Sequence, residues 1–472
     1  MTTPALEHAL DYVDSWLGYR ARVAGVPGFA VAVSRRGEVL LDRAYGYADL
    51  ERSTRLTTGH IFRVASHSKS FTATAVMQLL EEGHLRLDDP VVDYLPWLAE
   101  HPDRRIRTVT LRQLLSHGAG VIRDGLDSDY WQLSRPFPDE AQFRAAILAA
   151  PLVLDPNVKL KYSNFGYTLL GLVVAAASGE AYNDYVIEHI VKPLGLSRSG
   201  PEFVDAIARR LVTGYTRADV TGGRADGAGS RIPVPNVDTR AMSAATGFFS
   251  TAADLCTYFS AHLVGSGKLL RDESKREMQR VAWHAHLPAG SPPEDYGFGL
   301  ELDQVGARRT IGHGGGFPGQ ITKTMADPAD AMVVSALTNC VDGPASAIVR
   351  GVYKIIDYFA QHTPARRPRR DLQPLAGRYM NLWSVDDVVV TGDRVAVASP
   401  ESWDPLSGPD VLEAVDATTL RIAETSSFGS EGEEVRFTLK DGKVTGVVAA
   451  GGTMWPEDAW LRRERRRRSP KA

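Results

Sequence analysis

The chain has 472 residues, of which 43% are hydrophobic and 24% charged, and its formal net charge is −3. That length exceeds one ordinary core and predicts two domains or more, with the composition of a soluble globular protein. The near-neutral balance weighs against a nucleic-acid binder, which would be more basic.

The opening MTTPALEHALDYVDSWLGYR has no basic start followed by an apolar stretch, so it does not read as a secretory signal. Its apolar residues fall at helical spacing over Ala5–Tyr19. Next comes GFAVAVSRRGEVLLDRAYGYAD, where alternating apolar residues flank Arg35-Arg36-Gly37, the pattern of a β-hairpin. A helical pattern returns from Phe71 to Leu80, with Gly83 placed to end it. Helical segments then dominate: Leu111–Ser116, Glu140–Ala149, Tyr167–Ala177, Tyr182–Ile190 and Ala252–Leu263. The longest apolar run, around Leu169–Ala177, falls far short of the ~20 residues that cross a bilayer. A cytoplasmic protein without membrane contact is therefore expected.

Strand-like text resumes in YGFGLELDQV, ARRTIGHGG, QITKTMADP and AMVVSALTN, and Val349–Gln361 closes as a helix. Strands, a helical insertion, more strands and a last helix predict one sheet built from both ends of the segment, with a helical lobe between. The Pro- and Arg-rich stretch TPARRPRRDLQP reads as a linker. Beyond it, short alternating runs separated by Gly-Asp and Asp-Gly turns predict a small all-β barrel or sandwich. The expected boundaries are 1–362 for a catalytic domain with its helical lobe over roughly 70–280, 363–374 for the linker, 375–463 for the β-domain, and 464–472 for a solvated basic tail.

The chemistry centres on FRVASHSKSFTA. Ser66 and Lys69 are three apart at the start of a predicted helix, which puts both side chains on one face. A serine hydroxyl is a weak nucleophile and needs a base beside it, and a lysine can serve once burial or a nearby cation lowers its pKa. The Ser66 backbone N–H, at a helix N-terminus, is a donor available to a developing oxyanion. Tyr162-Ser163-Asn164 precedes another predicted helix. A phenol such as Tyr162 can shuttle a proton between nucleophile and leaving group. The Asn164 amide can hold both the lysine and a substrate carbonyl, because it donates and accepts. The third element is GHGGGFPG, embedded in strand-like text, where glycines let a substrate lie against the strand. Gly316 N–H is the candidate second oxyanion donor, and His313 is expected at the mouth of the site.

Other signals carry less. Cys256 and Cys340 form no disulfide framework or metal set and are expected to be buried thiols. His284-Ala285-His286 lacks a third ligand of obvious spacing, so no metal site is expected. Tyr379-Met380-Asn381 repeats Y-x-N but falls in the β-domain. The glycine run at 314–319 is followed by no helix, as nucleotide binding would require, and no G-x-S-x-G elbow occurs.

S-x-x-K, then Y-x-N, then H-x-G in this order resembles the penicillin-binding-protein and β-lactamase superfamily over roughly residues 10–360. The surrounding segments LRLDDPVVDYLP, LRQLLSHGAG and TGFFSTAADL are also family-like. The resemblance implies an α/β fold, an antiparallel sheet flanked by helices with an all-helical lobe, followed here by a lipocalin-like barrel. It implies Ser66 as the acylated nucleophile, Lys69 as its base, Tyr162 as proton relay and Asn164 as a substrate contact. His313, Gly314 and Gly315 take the place of K-T-G, with His313 catalytic and the two glycines binding substrate. Tyrosine in the second motif is similar to the class C β-lactamase, DD-peptidase and esterase branch, and histidine in the third to D-aminopeptidase, esterase and transacylase members. A lysine there would be a fixed cation for a substrate carboxylate, whereas histidine is only partly charged near pH 7, which weighs against β-lactamase activity.

Together with the C-terminal β-domain, VASHSKSFTATAVMQLLEEG, TRAMSAATGFFSTAADL and HGGGFPGQIT resemble the penicillin-binding-protein-type thioesterases, which release and cyclise nonribosomal peptides. The implied substrate is a peptidyl thioester, peptide or ester, with a peptidyl carrier protein as a candidate partner. No cofactor and no nucleic acid are expected, and the chain is expected to be a monomer or weak oligomer. A hydrolase of the D-aminopeptidase, esterase or DD-carboxypeptidase type is the alternative.

Overall fold

The computed structural model of the chain describes residues 3–217, 231–284, 294–362, 371–392, 394–425 and 430–468. Contacts divide it into two units, Gly25–Val349 and a second formed by Met1–Ala24 with Arg350–Ala472.

The elements that matter below are, in chain order, α1 (Thr3–Val23), β1 (Gly28–Arg35), β2 (Glu38–Asp49), β3 (Phe62–Ala65), α2 (Ser68–Glu81), α3 (Asn164–Ser178), β4 (Phe248–Ser250), α4 (Ala252–Ala261), β5 (Glu301–Val305), β6 (Arg308–Phe317), β7 (Gln320–Asp327), β8 (Met332–Thr338) and α5 (Ala345–His362).

In the first unit β1 and β2 form the expected hairpin. Arg35 pairs with Glu38, and Arg36 and Gly37 both take positive φ (54° and 81°), the geometry of a two-residue turn matched to strand twist. β1 pairs on its other side with β8, more than 300 residues away in sequence, with Val33 opposite Val334. The two ends of the segment therefore meet in the middle of one antiparallel sheet. Its nine strands run in the order Thr54–Arg55, β2, β1, β8, β7, β6, β5, Glu294–Tyr296, Trp283–His284.

α4 packs on β1 and β8 and buries Leu255, Cys256 and Phe259. The inserted helices share one core with the sheet, including Phe71, Val76, Leu114, Phe165, Leu170 and Tyr258. α2 ends as anticipated: Gly83 takes φ +80°, its N–H reaches Leu80 O at 3.1 Å, and His84 N–H reaches Leu79 O at 2.9 Å, a Schellman motif. Both cysteines are buried and unpaired.

In the second unit, eight consecutive antiparallel strands from Gly377 to Pro456 close into a barrel, the first pairing with the last through Met380 and Trp455. Alternation decides its inside, which is filled by Tyr379, Val390, Val395, Leu412, Leu420 and Phe437. Tyr379, of the second Y-x-N, donates to Leu375 O at 2.8 Å and belongs to this core. α1 is tied to the barrel's connecting segment: Trp16, fully buried, donates from Nε1 to Ser402 O at 3.1 Å and meets the Trp403 ring edge-on. Arg20 lies over that ring, 4.0 Å from its centroid.

The expected catalytic domain, 1–362, thus takes in α1 and the part of α5 from Arg350, which group by contacts with the barrel unit. Of the expected linker, 363–370 lie outside the described residues, and the chain resumes at Asp371 before a short turn over Gln373–Leu375. The basic tail begins inside a helix, Glu457–Arg468, and 469–472 lie outside the described residues. Among the described residues no helix is long and apolar enough to cross a membrane.

Candidate active site

Ser66 sits in the turn between β3 and α2, two residues before the helix begins. The residue before it, Ala65, takes φ +43°, a left-handed conformation that costs a non-glycine residue about 1–3 kcal/mol and persists only where the surroundings enforce it. They do so through four bonds. Ser68 Oγ donates to Ala65 O at 2.6 Å and accepts from Phe248 N–H at 2.9 Å. His67 Nδ1 donates to Val64 O at 3.0 Å, which leaves Nε2 to accept from the Thr324 hydroxyl, also at 3.0 Å. Burial pushes the His67 imidazole down to about 3, so the ring serves as a neutral strut. Ser66 itself is half-buried.

One turn along α2, Lys69 is fully buried. Its Nζ donates to Asn164 Oδ1 at 2.7 Å and to Ala245 O at 2.8 Å, and lies 3.3 Å from Ser66 Oγ. Burial drives its pKa down to about 7, against a smaller upward pull from Asp124. A neutral amine has two hydrogens and one lone pair. The two short bonds occupy the hydrogens, and the lone pair is left for Ser66.

Tyr162 and Asn164 flank Ser163, whose Oγ caps α3 by accepting from Gly166 N–H at 2.8 Å. The cap explains why these two side chains leave the chain at a helix start, side by side. The Tyr162 hydroxyl is hydrogen-bonded with Ser66, and burial pushes its phenol well above the usual value. Its ring centroid lies 4.7 Å from Lys69 Nζ and 4.2 Å from the His117 ring. Ser66, Lys69, Tyr162 and Asn164, drawn from two distant segments, therefore meet at one place.

The third element is brought up by β6. β5 pairs with β6 only as far as Glu301 opposite Gly312, so among the described residues 313–317 of β6 have β7 on one side and no strand of this sheet on the other. A Cβ on Gly315 would stand 2.1 Å from Val64 O and 2.5 Å from Thr322 Oγ1. Only glycine lets β6 seat against β3, two residues before the nucleophile turn. Gly315 is accordingly turned toward protein, and its lack of a side chain serves packing. Gly316 would meet only Ile321 Cδ1, at 3.5 Å, and Gly314 would meet the side chains of Glu301 and Lys323 at 3.5 and 3.6 Å, so both could carry a Cβ.

His313 departs from expectation. It was expected at the mouth, yet it is 1% exposed. Its Nδ1 donates to Gly314 O at 2.6 Å and lies 3.3 Å from Glu301 Oε1, and the Tyr296 hydroxyl sits 3.1 Å from Nε2. Tyr296 and Glu301, from neighbouring strands, cover it. Burial lowers its pKa, with Glu301 pulling the other way. Burial alone would raise the Glu301 carboxyl, but Lys323, 2.5 Å away, and His313 outweigh that and hold it well below the usual range.

Several residues at the site were not singled out from sequence. Ala245 contributes only its carbonyl, for which any residue would do. Asp124 accepts from Asn164 Nδ2 at 2.7 Å. Arg123, with its side chain 63% exposed, lies 5.4 Å from the Tyr162 ring centroid and pairs with Asp124 at 3.2 Å. His117 accepts from Ser163 N–H on Nδ1 at 3.1 Å, and its ring packs at a tilt among those of Tyr162, Tyr167 and Tyr296. The nearest textual signal was LSHGAGVIRDG, which holds His117, Arg123 and Asp124, but no spacing rule links it to the other motifs. Of the candidate metal pair, His284 is exposed and faces Asp295, while His286 lies outside the described residues.

Comparison with known proteins follows the same lines. Residues 19–356 match the family model described as Beta-lactamase. Protein flp of Staphylococcus aureus (strain MW2) is 27% identical over 187 residues, 40% of this chain and 37% of that protein, so the chain spans little more than a third of that relative's length. Penicillin-binding protein 4 of Amycolatopsis lactamdurans is 28% identical over 372 residues, 75% of this chain and 93% of that one. Among solved structures, a D-stereospecific amidohydrolase from a Streptomyces species superposes with a TM-score of 0.61 at 25% identity, covering 71% of this chain and 96% of its own.

Proposed function

The chain belongs to the β-lactamase and penicillin-binding-protein family of serine hydrolases, and from that premise we propose that Ser66 transfers an acyl group from a peptide-like donor through a covalent ester. One observation carries the reading: a buried lysine whose Nζ is held by Asn164 Oδ1 and Ala245 O at 2.7 and 2.8 Å and lies 3.3 Å from a serine oxygen.

In the forward step Ser66 Oγ bonds to the donor carbonyl carbon and its proton passes to Lys69 Nζ. The carbonyl oxygen becomes an oxyanion facing the backbone N–H groups of Ser66 and Gly316. As the bond to the leaving atom breaks, Tyr162 hands that atom a proton and is resupplied from Lys69. Deacylation reverses the proton path, with water or an amine in the place of the leaving group. Gly314 and Asn164 line the donor's approach. His313, covered by Tyr296 and Glu301, holds the Tyr296 hydroxyl and the strand in place.

The finer reading is an enzyme that takes a peptidyl thioester and closes the peptide on its own amine. It is supported by the thioesterase-like segments that hold the first and third motifs and the stretch 239–255, and by the barrel that follows the catalytic unit. Ring closure requires that water be kept from the ester while the amine is placed against it. A second reading, hydrolysis of D-amino-acid amides, is favoured by the likeness to the D-stereospecific amidohydrolase. Product analysis separates them. The chain is incubated with a peptidyl N-acetylcysteamine thioester ending in a D-residue and, separately, with D-amino-acid amides, and products are read by mass spectrometry. A product lighter than the linear acid by one water supports the cyclase. Linear acid alone, with turnover of the amides, supports the hydrolase.

A further inference from the structure

The site contains a carboxylate that none of the three motifs includes. Asp124 lies in the loop after the helix Leu111–Leu115, with its side chain 12% exposed. Its Oδ1 accepts two hydrogen bonds, from Asn164 Nδ2 at 2.7 Å and Trp131 Nε1 at 3.0 Å. Its Oδ2 faces Arg123 Nε at 3.2 Å, and its backbone oxygen accepts from Tyr130 OH at 2.8 Å. The loop is also tied to α3, since Arg123 O accepts from the N–H groups of Asn164 and Phe165 at 2.9 and 3.0 Å.

An asparagine amide can present either end to a lysine. Only its oxygen can accept from Lys69 while a carbonyl, Ala245 O, takes the second amine hydrogen. A carboxylate accepts and never donates, so Asp124 on the far side permits only the NH2 of Asn164 to face it. The oxygen is thereby turned to Lys69 at 2.7 Å.

We propose that Asp124 is a positioning residue that acts through Asn164, locking the amide so that the Lys69 lone pair is aimed at Ser66 Oγ. The inference rests on the acyl-transfer reading above.

Asp124 also contributes charge. The charged groups acting on Lys69 are Asp124, Arg123 and Glu301; the buried histidines His117 and His313 and the rings of Tyr162 and Tyr167 complete its surroundings. Asp124 favours the ammonium form, Arg123 disfavours it. The two functions of Asp124, orienting and charging, are separable by substitution. Asp124→Asn can still accept from Asn164 but carries no charge, whereas Asp124→Ala can do neither.

The test measures acylation as the release of p-nitrophenol from p-nitrophenyl butyrate in Asp124→Asn, Asp124→Ala, Asn164→Ala, the double variant Asp124→Ala/Asn164→Ala and Ser66→Ala, with thermal melts for each. Asp124→Ala is expected to slow acylation about 10–100-fold, by analogy with the loss of a residue that orients a metal ligand from behind. In the Asn164→Ala background the same change should alter the rate by less than about twofold, because the group it acts through is gone. In Asp124→Asn the acidic midpoint of the pH–rate curve should move down by about half a unit, the direction expected when an opposite charge is withdrawn from a lysine. Multiplying effects in the double variant, or an Asp124→Ala that acylates at the parent rate, would overturn the proposal, and a midpoint in Asp124→Asn that stays or rises would overturn the charge contribution. Full activity in Ser66→Ala would instead overturn the acyl-transfer reading, so the two failures are distinct.

Discussion

Acylation should titrate with a single midpoint near pH 7, because the base is an amine whose pKa burial has lowered from 10.5 to about 7. With that value about 9% of Lys69 is neutral at pH 6 and about 91% at pH 8, so kcat/KM for an activated ester should rise about tenfold over this interval. An ordinary lysine would be only about 0.3% neutral at pH 8 and would give a rate still climbing tenfold per unit there. The neighbouring imidazoles should add no step above pH 7. His67 is held neutral down to about 3, and burial lowers His117 and His313 as well. Tyr162 is pushed the other way, so the plateau should extend past pH 9. Stopped-flow release of p-nitrophenol from pH 5.5 to 9.5, with the wavelength set where the phenol's own ionisation does not contribute, gives the profile. Lys69→Arg should be inactive at every pH, since a guanidinium is never neutral in this range. A flat profile between pH 6 and 8, a midpoint near 10, or an active arginine variant would each refute the lone-pair argument.

The same shift makes a statement about stability. Between about pH 7 and 10.5 the unfolded chain binds a proton at Lys69 that the folded chain does not, so this group's contribution rises with pH across that window and is lost below it; Lys69→Met should flatten that part of the urea-unfolding curve against pH. Tyr162→Phe should fold as the parent does, because the ring still packs on His117, yet acylate about 100-fold or more slowly for lack of the relay hydroxyl. Gly315→Ala should lower both the melting temperature and activity more than Gly316→Ala, as only the former sets a methyl 2.1 Å from Val64 O. Trp16→Ala, removing a fully buried indole from between α1 and the barrel's connecting segment, should cost about 3–5 kcal/mol in unfolding of that unit and leave the pH–rate midpoint in place.

Much of this architecture is legible in the residues. Alternation around Arg36-Gly37 marks the hairpin, and β-rich text at both ends of the segment implies the β1–β8 pairing that closes the sheet. Ser66, Lys69, Tyr162 and Asn164 stand out because each motif joins a reactive side chain to a helix start. What stays hidden depends on contacts that no local pattern encodes. His313 reads as a mouth residue until Tyr296 and Glu301, from adjacent strands, are seen to cover it. Asp124 reads as a polar loop residue, since only folding puts it 2.7 Å from Asn164 Nδ2. Ala245 gives no signal because its carbonyl is what Lys69 uses. α1 shows an apolar stripe but not its cover, which is why its grouping with the barrel differs from the boundary drawn by composition alone.

Intact-protein mass spectrometry during turnover of a slow ester, followed by peptide mapping, tests covalent catalysis most directly. The parent should gain one acyl mass, confined to the peptide bearing Ser66, and lose it when water or an amine is supplied in excess, while Ser66→Ala should gain none. Acylation mapped to any other residue, or an unchanged adduct in Ser66→Ala, would contradict the account.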